Sequence, residues 1–243
     1  MTDQPLSPTP RRPFLIPFLV GGLPVGLFIM GVLSFVLYFR QKSHHESHPS
    51  QLSSMMRQDL NQEEYQRYVK TLRETTDPDS VASYIQSTLG LDNMGYDVVH
   101  HDFGPHDKTN AHFEAEIRGQ QQPRHLVLVA SPYGSPASAL PLSALLSLAH
   151  SFTGEKHANT IRFAALFDGD NGGHFTDYQT WMAKTDWDQI DLIVLGSDSN
   201  MPSLKSSLEP RATHTLPFTL PPDAPLTEVK KVETAVRQLA DKK

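Results

Sequence analysis

Residues 160–173 read TIRFAALFDGDNGG, and this stretch decides the fold. From Ile161 to Phe167 it is a nearly continuous apolar run, the composition of a central strand covered on both faces. The run ends in a glycine-rich turn. There Asp168, Asp170, Asn171 and, just beyond, His174 crowd oxygen and nitrogen donors together. In an open parallel sheet, ligands bind outside the carboxyl ends of the strands, so a donor-rich turn at that place marks a candidate site.

Working outward, a helical pattern of Leu142, Leu145, Leu146, Leu148, Ala149 and Phe152 precedes the run, and residues 126–130 form a second apolar strand before it. Downstream, residues 175–184 read as a helix and 191–195 as another buried strand. Strand, helix, strand, helix, strand predicts a parallel α/β arrangement with right-handed crossovers. Further upstream, residues 96–102 read as a strand. Ala111, Phe113, Ala115 and Ile117 alternate with His112, Glu114, Glu116 and Arg118, the period of a half-buried strand. Two helices open the domain. One carries Met56, Leu60, Tyr65, Tyr68, Val69 and Leu72 at helical spacing. The other starts at Asp77-Pro78, carries Val81, Tyr84, Ile85 and Leu89, and stops at Gly90. After Gly196 the pattern decays among Pro202, Pro210, Pro217, Pro221, Pro222 and Pro225, leaving one short helix over 226–239.

The amino-terminal part is different. Residues 13–39 contain no charge and are long enough, at about 1.5 Å per residue, to cross a roughly 30 Å hydrocarbon layer as a helix. No small-x-small cleavage site follows, so an uncleaved anchor is expected rather than a signal peptide. Arg11 and Arg12 before the span nearly balance Arg40 and Lys42 after it. The expected organisation is a cytoplasmic tail (1–12), a transmembrane helix (13–39), a polar linker (40–53), an α/β domain (54–200) and a proline-rich tail with a short helix (201–243). The localisation expected is single-pass membrane with the domain outside the cytoplasm. The 243-residue chain carries a net charge of −6, which argues against nucleic acid as a partner, and has no cysteine, which excludes thiolate chemistry.

Three loops occupy the carboxyl edge: SPYGSPA (131–137), DGDNGGH (168–174) and GSDSN (196–200). The pocket residues expected from them are Ser131, Tyr133, Ser135, Asp168, Asp170, Asn171, His174 and Asp198. Ser131 or Ser135 with His174 and Asp168 also spells a serine triad, but no G-x-S-x-G elbow accompanies it. Elsewhere, His44, His45 and His48 read as spacer. His100, His101 and His106, with Asp102 and Asp107, read more simply as solvated loop than as a metal patch. His125 and His150 read as surface or satisfied core histidines, and Trp181 and Trp187 as packing anchors.

The order of elements from about residue 65 to 200 resembles metallopeptidase family 28, the di-zinc aminopeptidases and their glutaminyl cyclase relatives. VASYIQSTLGLDNMGYDVV resembles the family's opening helix and first strand. HLVLVASPYGSP resembles the strand that normally ends in a His-x-Asp pair, and TIRFAALFDGDNGG the strand ending in an FDGEE-type turn. The resemblance implies a zinc-aminopeptidase-like fold, truncated, and a pocket that in the family holds zinc. Matched by position, the ligands are gone. Ser131 or Pro132 stands where the first histidine belongs, Gly134 near its partner aspartate, and Ala137 near the bridging aspartate. Asp170 replaces the catalytic glutamate, and Asn171 the adjacent glutamate ligand. Gly196 falls where a further aspartate is expected, with Asp198 two residues on. His214, in HTLPF, comes too soon after its strand to match the family's last histidine. The pattern of losses and the amino-terminal span also resemble the large GPI transamidase subunit, from which no function is carried over.

A zinc site needs three or four ligands converging at about 2 Å. The sequence therefore predicts a non-catalytic domain without cofactor, with Asp170 as a vestige, serving an unknown protein or peptide partner in binding or assembly. The alternatives are an active zinc hydrolase with ligands drawn from Asp168, Asp170, His174 and Asp198, and a structural membrane anchor for a complex.

Overall fold

A computed structural model of the chain describes residues 55–102, 111–168, 175–221 and 223–242, together with Met30, Val32 and Ser34. Those last three are helical and exposed. The rest of the expected span and its linker lie outside the described residues. Among the described residues no helix is long and apolar enough to cross a membrane.

Two parallel strands, β3 (Gln122–Tyr133) and β4 (Asn159–Phe167), form the centre of a six-stranded sheet. The others are β1 (Val99–Asp102), β2 (Ala111–Ile117), β5 (Gln189–Gly196) and β6 (His214–Thr219), in the order β1-β2-β4-β3-β5-β6. β4, β3, β5 and β6 run parallel, while β2 is antiparallel to both β4 and β1. The architecture is mixed α/β, with the parallel block expected from the sequence and an antiparallel margin.

Helices cover both faces. α1 (Gln62–Glu74), α2 (Pro78–Leu89), α3 (Ala139–Phe152) and α6 (Leu226–Ala240) pack on one; α4 (Phe175–Met182) and α5 (Met201–Leu208) pack on the other. The strand period of two sorts the side chains between them. Val127, Val129, Ile161, Phe163 and Ala165 join the first core, while Leu126, Leu128, Ala130, Ala164 and Leu166 join the second. All of α3 is buried, because it sits beneath α1 and α6 as well as against the sheet. Asn61 caps α1 by accepting from Glu64 N at 2.8 Å, and Asp77 caps α2 by accepting from Ser80 N at 2.9 Å.

Three expectations need correction. The first strand starts at Val99 rather than at residue 96; Tyr96 is instead a core residue whose hydroxyl donates to Ala149 O at 2.6 Å. The alternation in β2 does not expose its polar side: His112 and Glu114 are buried, because α4 covers that face. Residues 201–243, read as a proline-rich tail with one short helix, hold that helix as α6 and also contribute α5 and β6 to the fold. Pro217 lies within β6, and a strand lacking one N–H donor is tolerated because β6 is at the sheet margin.

Candidate functional site

β3, β4 and β5 end side by side at Tyr133, Phe167 and Gly196, so residues 131–137 and 196–200 and the first residue of the 168–174 segment lie at one edge. Ser131 is fully buried, its hydroxyl donating to Pro132 O at 3.2 Å. Tyr133 is fully buried too. Its hydroxyl donates to the carbonyl of Ala111, and its ring lies 5.4 Å from Phe167 and 5.7 Å from Phe113. Burial pushes its phenol well above the usual range. The strand end that would present ligands instead turns its polar atoms onto the protein's own backbone.

The turn after β3 is tight. Gly134 has φ +100°, and a Cβ there would meet the Phe167 ring at 2.8 Å, so only glycine fits. Beyond it, Ser135 Oγ lies 2.8 Å from Ser138 Oγ. Ser138 in turn accepts from Asn200 Nδ2 at 3.3 Å, and Asn200 Oδ1 accepts from Ser197 N at 2.8 Å. Asn200 is buried and ties the loop after β5 to the loop after β3. Sequence reasoning missed it. An asparagine just before Met201-Pro202 is a helix-start signal that pointed to its position, though not to its partner.

Asp168 is half-buried at the end of β4, with its backbone N donating to Tyr133 O at 2.7 Å. Burial raises its carboxyl pKa. That is opposite in sign to the lowering expected of a carboxylate that accepts backbone N–H bonds. Asp198 is exposed at the tip of its turn. Asp170, Asn171 and His174 lie outside the described residues, as do His106 and Asp107. His214 begins β6 opposite Asp191, at the far end of β5 from Gly196. Five residues of strand, roughly 16 Å, separate it from this edge.

Of the other singled-out residues, His100 and Asp102 are exposed, while His101, His125, His150, Trp181 and Trp187 pack within the domain. His125 is buried 2.8 Å from Asp191, and His150 is buried 2.8 Å from Glu64 and from Met56 O. The His101 ring lies 3.9 Å from that of Trp181, tilted by 41°, while Trp181 and Trp187 flank the Arg162 guanidinium.

No family model matches the sequence, and no curated protein matches it. Solved structures do. A candidate Zn-dependent exopeptidase from Bacteroides vulgatus superposes with a TM-score of 0.56 at 11% identity, over 77% of this chain and 98% of that one. A glutaminyl cyclase from an Acidobacteriales bacterium superposes with a TM-score of 0.53 at 7% identity, over 76% and 96%. The chain therefore has the fold shared by zinc exopeptidases and glutaminyl cyclases. The match spans nearly the whole of both of those chains.

The described part of the edge offers hydroxyls already bonded within the protein and two carboxylates on separate loops. Among the described residues no group of three or more His, Asp or Glu is placed to hold a metal ion. By themselves these residues do not fit a zinc centre, which requires at least three converging ligands.

Proposed function

We propose that this chain is a membrane-tethered, non-catalytic domain of the zinc-exopeptidase fold that binds a peptide or protein partner at the carboxyl edge of its sheet. The observation that carries the reading is the end of β3, where Ser131 and Tyr133 are buried and bonded to backbone carbonyls. Turning either outward would break its hydrogen bond, at a cost of about 1 kcal/mol, and for Tyr133 would also open the core. The uncharged run over 13–39 supports tethering.

A second reading is an active hydrolase using Asp168, Asp170, His174 and Asp198. It is favoured by the raised carboxyl of Asp168 at the end of a central strand, since such shifts occur at catalytic acids and bases. Turnover separates the two. The full chain, supplied with zinc, is offered aminoacyl substrates and peptides with amino-terminal glutamine. The binding reading expects no release or cyclisation above that of heat-denatured protein. Saturable turnover lost in Asp170→Ala would replace it by the second.

A further inference from the structure

Beside the β3–α3 turn lies a cavity of about 80 Å³, between the end of α1, the start of α2 and the start of α3. Leu72, Val81, Leu142 and the Tyr133 ring supply its apolar wall, while Ser135 and Arg73 stand among its polar lining. A buried apolar cavity of roughly 150 Å³ holds benzene, so about half that volume suits a branched group of three or four carbons.

The polar side has a direction. Asn200 Oδ1 accepts from Ser197 N, so its Nδ2 faces Ser138 and donates to Ser138 Oγ. The Ser138 hydroxyl is buried, and among the described residues its hydrogen has one neighbour able to accept it, Ser135 Oγ at 2.8 Å. Were Ser135 the donor instead, the buried Ser138 hydrogen would be left without a partner among the described residues, at a cost of about 1–3 kcal/mol. The chain therefore runs Asn200 to Ser138 to Ser135. It leaves the Ser135 O–H, which is only half-buried, free to donate to a ligand.

We infer that this cavity binds a short branched aliphatic group carrying an adjacent carboxylate, with the alkyl part among Leu72, Val81 and Leu142 and the carboxylate accepting from Ser135 beside Arg73. The inference rests on the binding reading above and names the ligand chemistry for that edge. Two sources present this chemistry: a free branched-chain acid, and the carboxyl-terminal residue of a peptide ending in leucine or valine.

The test uses the full chain in detergent and calorimetric titration with four probes: 3-methylbutanoate, 3-methylbutan-1-ol, Gly-Gly-Leu and its carboxyl-terminal amide. Binding of at least one of the two carboxylates, with the alcohol or amide weaker by about tenfold or more, is expected. Val81→Phe fills the cavity and abolishes binding. Ser135→Ala, at a half-buried turn position, weakens binding by about tenfold while leaving the melting midpoint in place. Tighter binding of Gly-Gly-Leu identifies the peptide source, and binding of 3-methylbutanoate alone identifies the free acid. Absence of binding by both carboxylates, or equal binding in Ser135→Ala and the unaltered chain, overturns the inference. Neither result bears on turnover, so its failure is distinguishable from failure of the non-catalytic reading.

Discussion

Arg162 and Glu116 face each other across the antiparallel β2–β4 pair, and the guanidinium grips that carboxylate with Nε at 3.0 Å and Nη2 at 2.6 Å. Its remaining arm, Nη1, reaches the buried Glu114 at 3.2 Å, where the Tyr178 hydroxyl also donates. Trp181 and Trp187 lie 5.1 and 5.2 Å from the guanidinium. A charge cluster thus sits under α4, with the buried carboxylate of Glu114 accepting from both Arg162 and Tyr178.

Unequal losses follow within that cluster. Arg162→Ala leaves Glu114 buried without its counter-charge and should cost about 3–5 kcal/mol in urea melts. Glu116→Ala removes a partner whose side chain is 36% exposed, and should cost about 1 kcal/mol or less. Equal costs would show that burial of Glu114 is not what makes the arginine necessary.

Glu155 joins the two ends of the domain: Arg57 Nη1 lies 2.7 Å from it and Arg237 Nη1, on α6, 2.6 Å. Burial alone would raise its carboxyl. Contacts with His157 and Arg237 and the charges of Arg237 and Arg57 outweigh that and hold it at about 2. The folded pKa is below the unfolded one, so the stabilisation is complete above the ordinary glutamate range and fades as pH falls from about 5 towards 2. Discounted for solvent screening, Glu155→Gln should remove about 1–2 kcal/mol of acid-dependent stability across that window. Parallel pH–stability curves for the variant and the parent would contradict this.

Asp168 should behave in the opposite sense. Burial raises its folded pKa, so its ionisation opposes folding as pH rises from the ordinary aspartate range upward. Asp168→Asn should therefore be neutral or stabilising at pH 7 and make no difference at pH 3. A loss of about 1–2 kcal/mol at pH 7, the size of a lost cap, would instead establish hydrogen bonding to the ionised form.

The anchor has its own test. Residues 47–243 form one compact unit, so deleting residues 1–40 should release a folded protein from membranes. A deleted form that stays with membranes after a high-salt wash would reveal a second membrane contact.

The central strands and α3 were legible because period and length leave few alternatives: Ile161 to Phe167 and Leu126 to Ala130 had to be covered on both faces. Burial of Glu114 was not legible. Local spacing puts it on the polar side of β2, and Arg162 and Tyr178, 48 and 64 residues away, make the interior acceptable to it. β6 was hidden by Pro217, which argues against a strand until its marginal place in the sheet is known. At the site, the sequence placed Ser131, Tyr133 and Ser135 on one edge, but not the inward turn of the first two. Nor did it show the Asn200–Ser138 bond, which spans 62 residues.

The most direct test of the non-catalytic account is zinc stoichiometry of the full chain, purified without chelator and dialysed against trace zinc. The account predicts well under one equivalent per chain. One or two equivalents, with peptide hydrolysis abolished by chelation and restored by zinc, would contradict it.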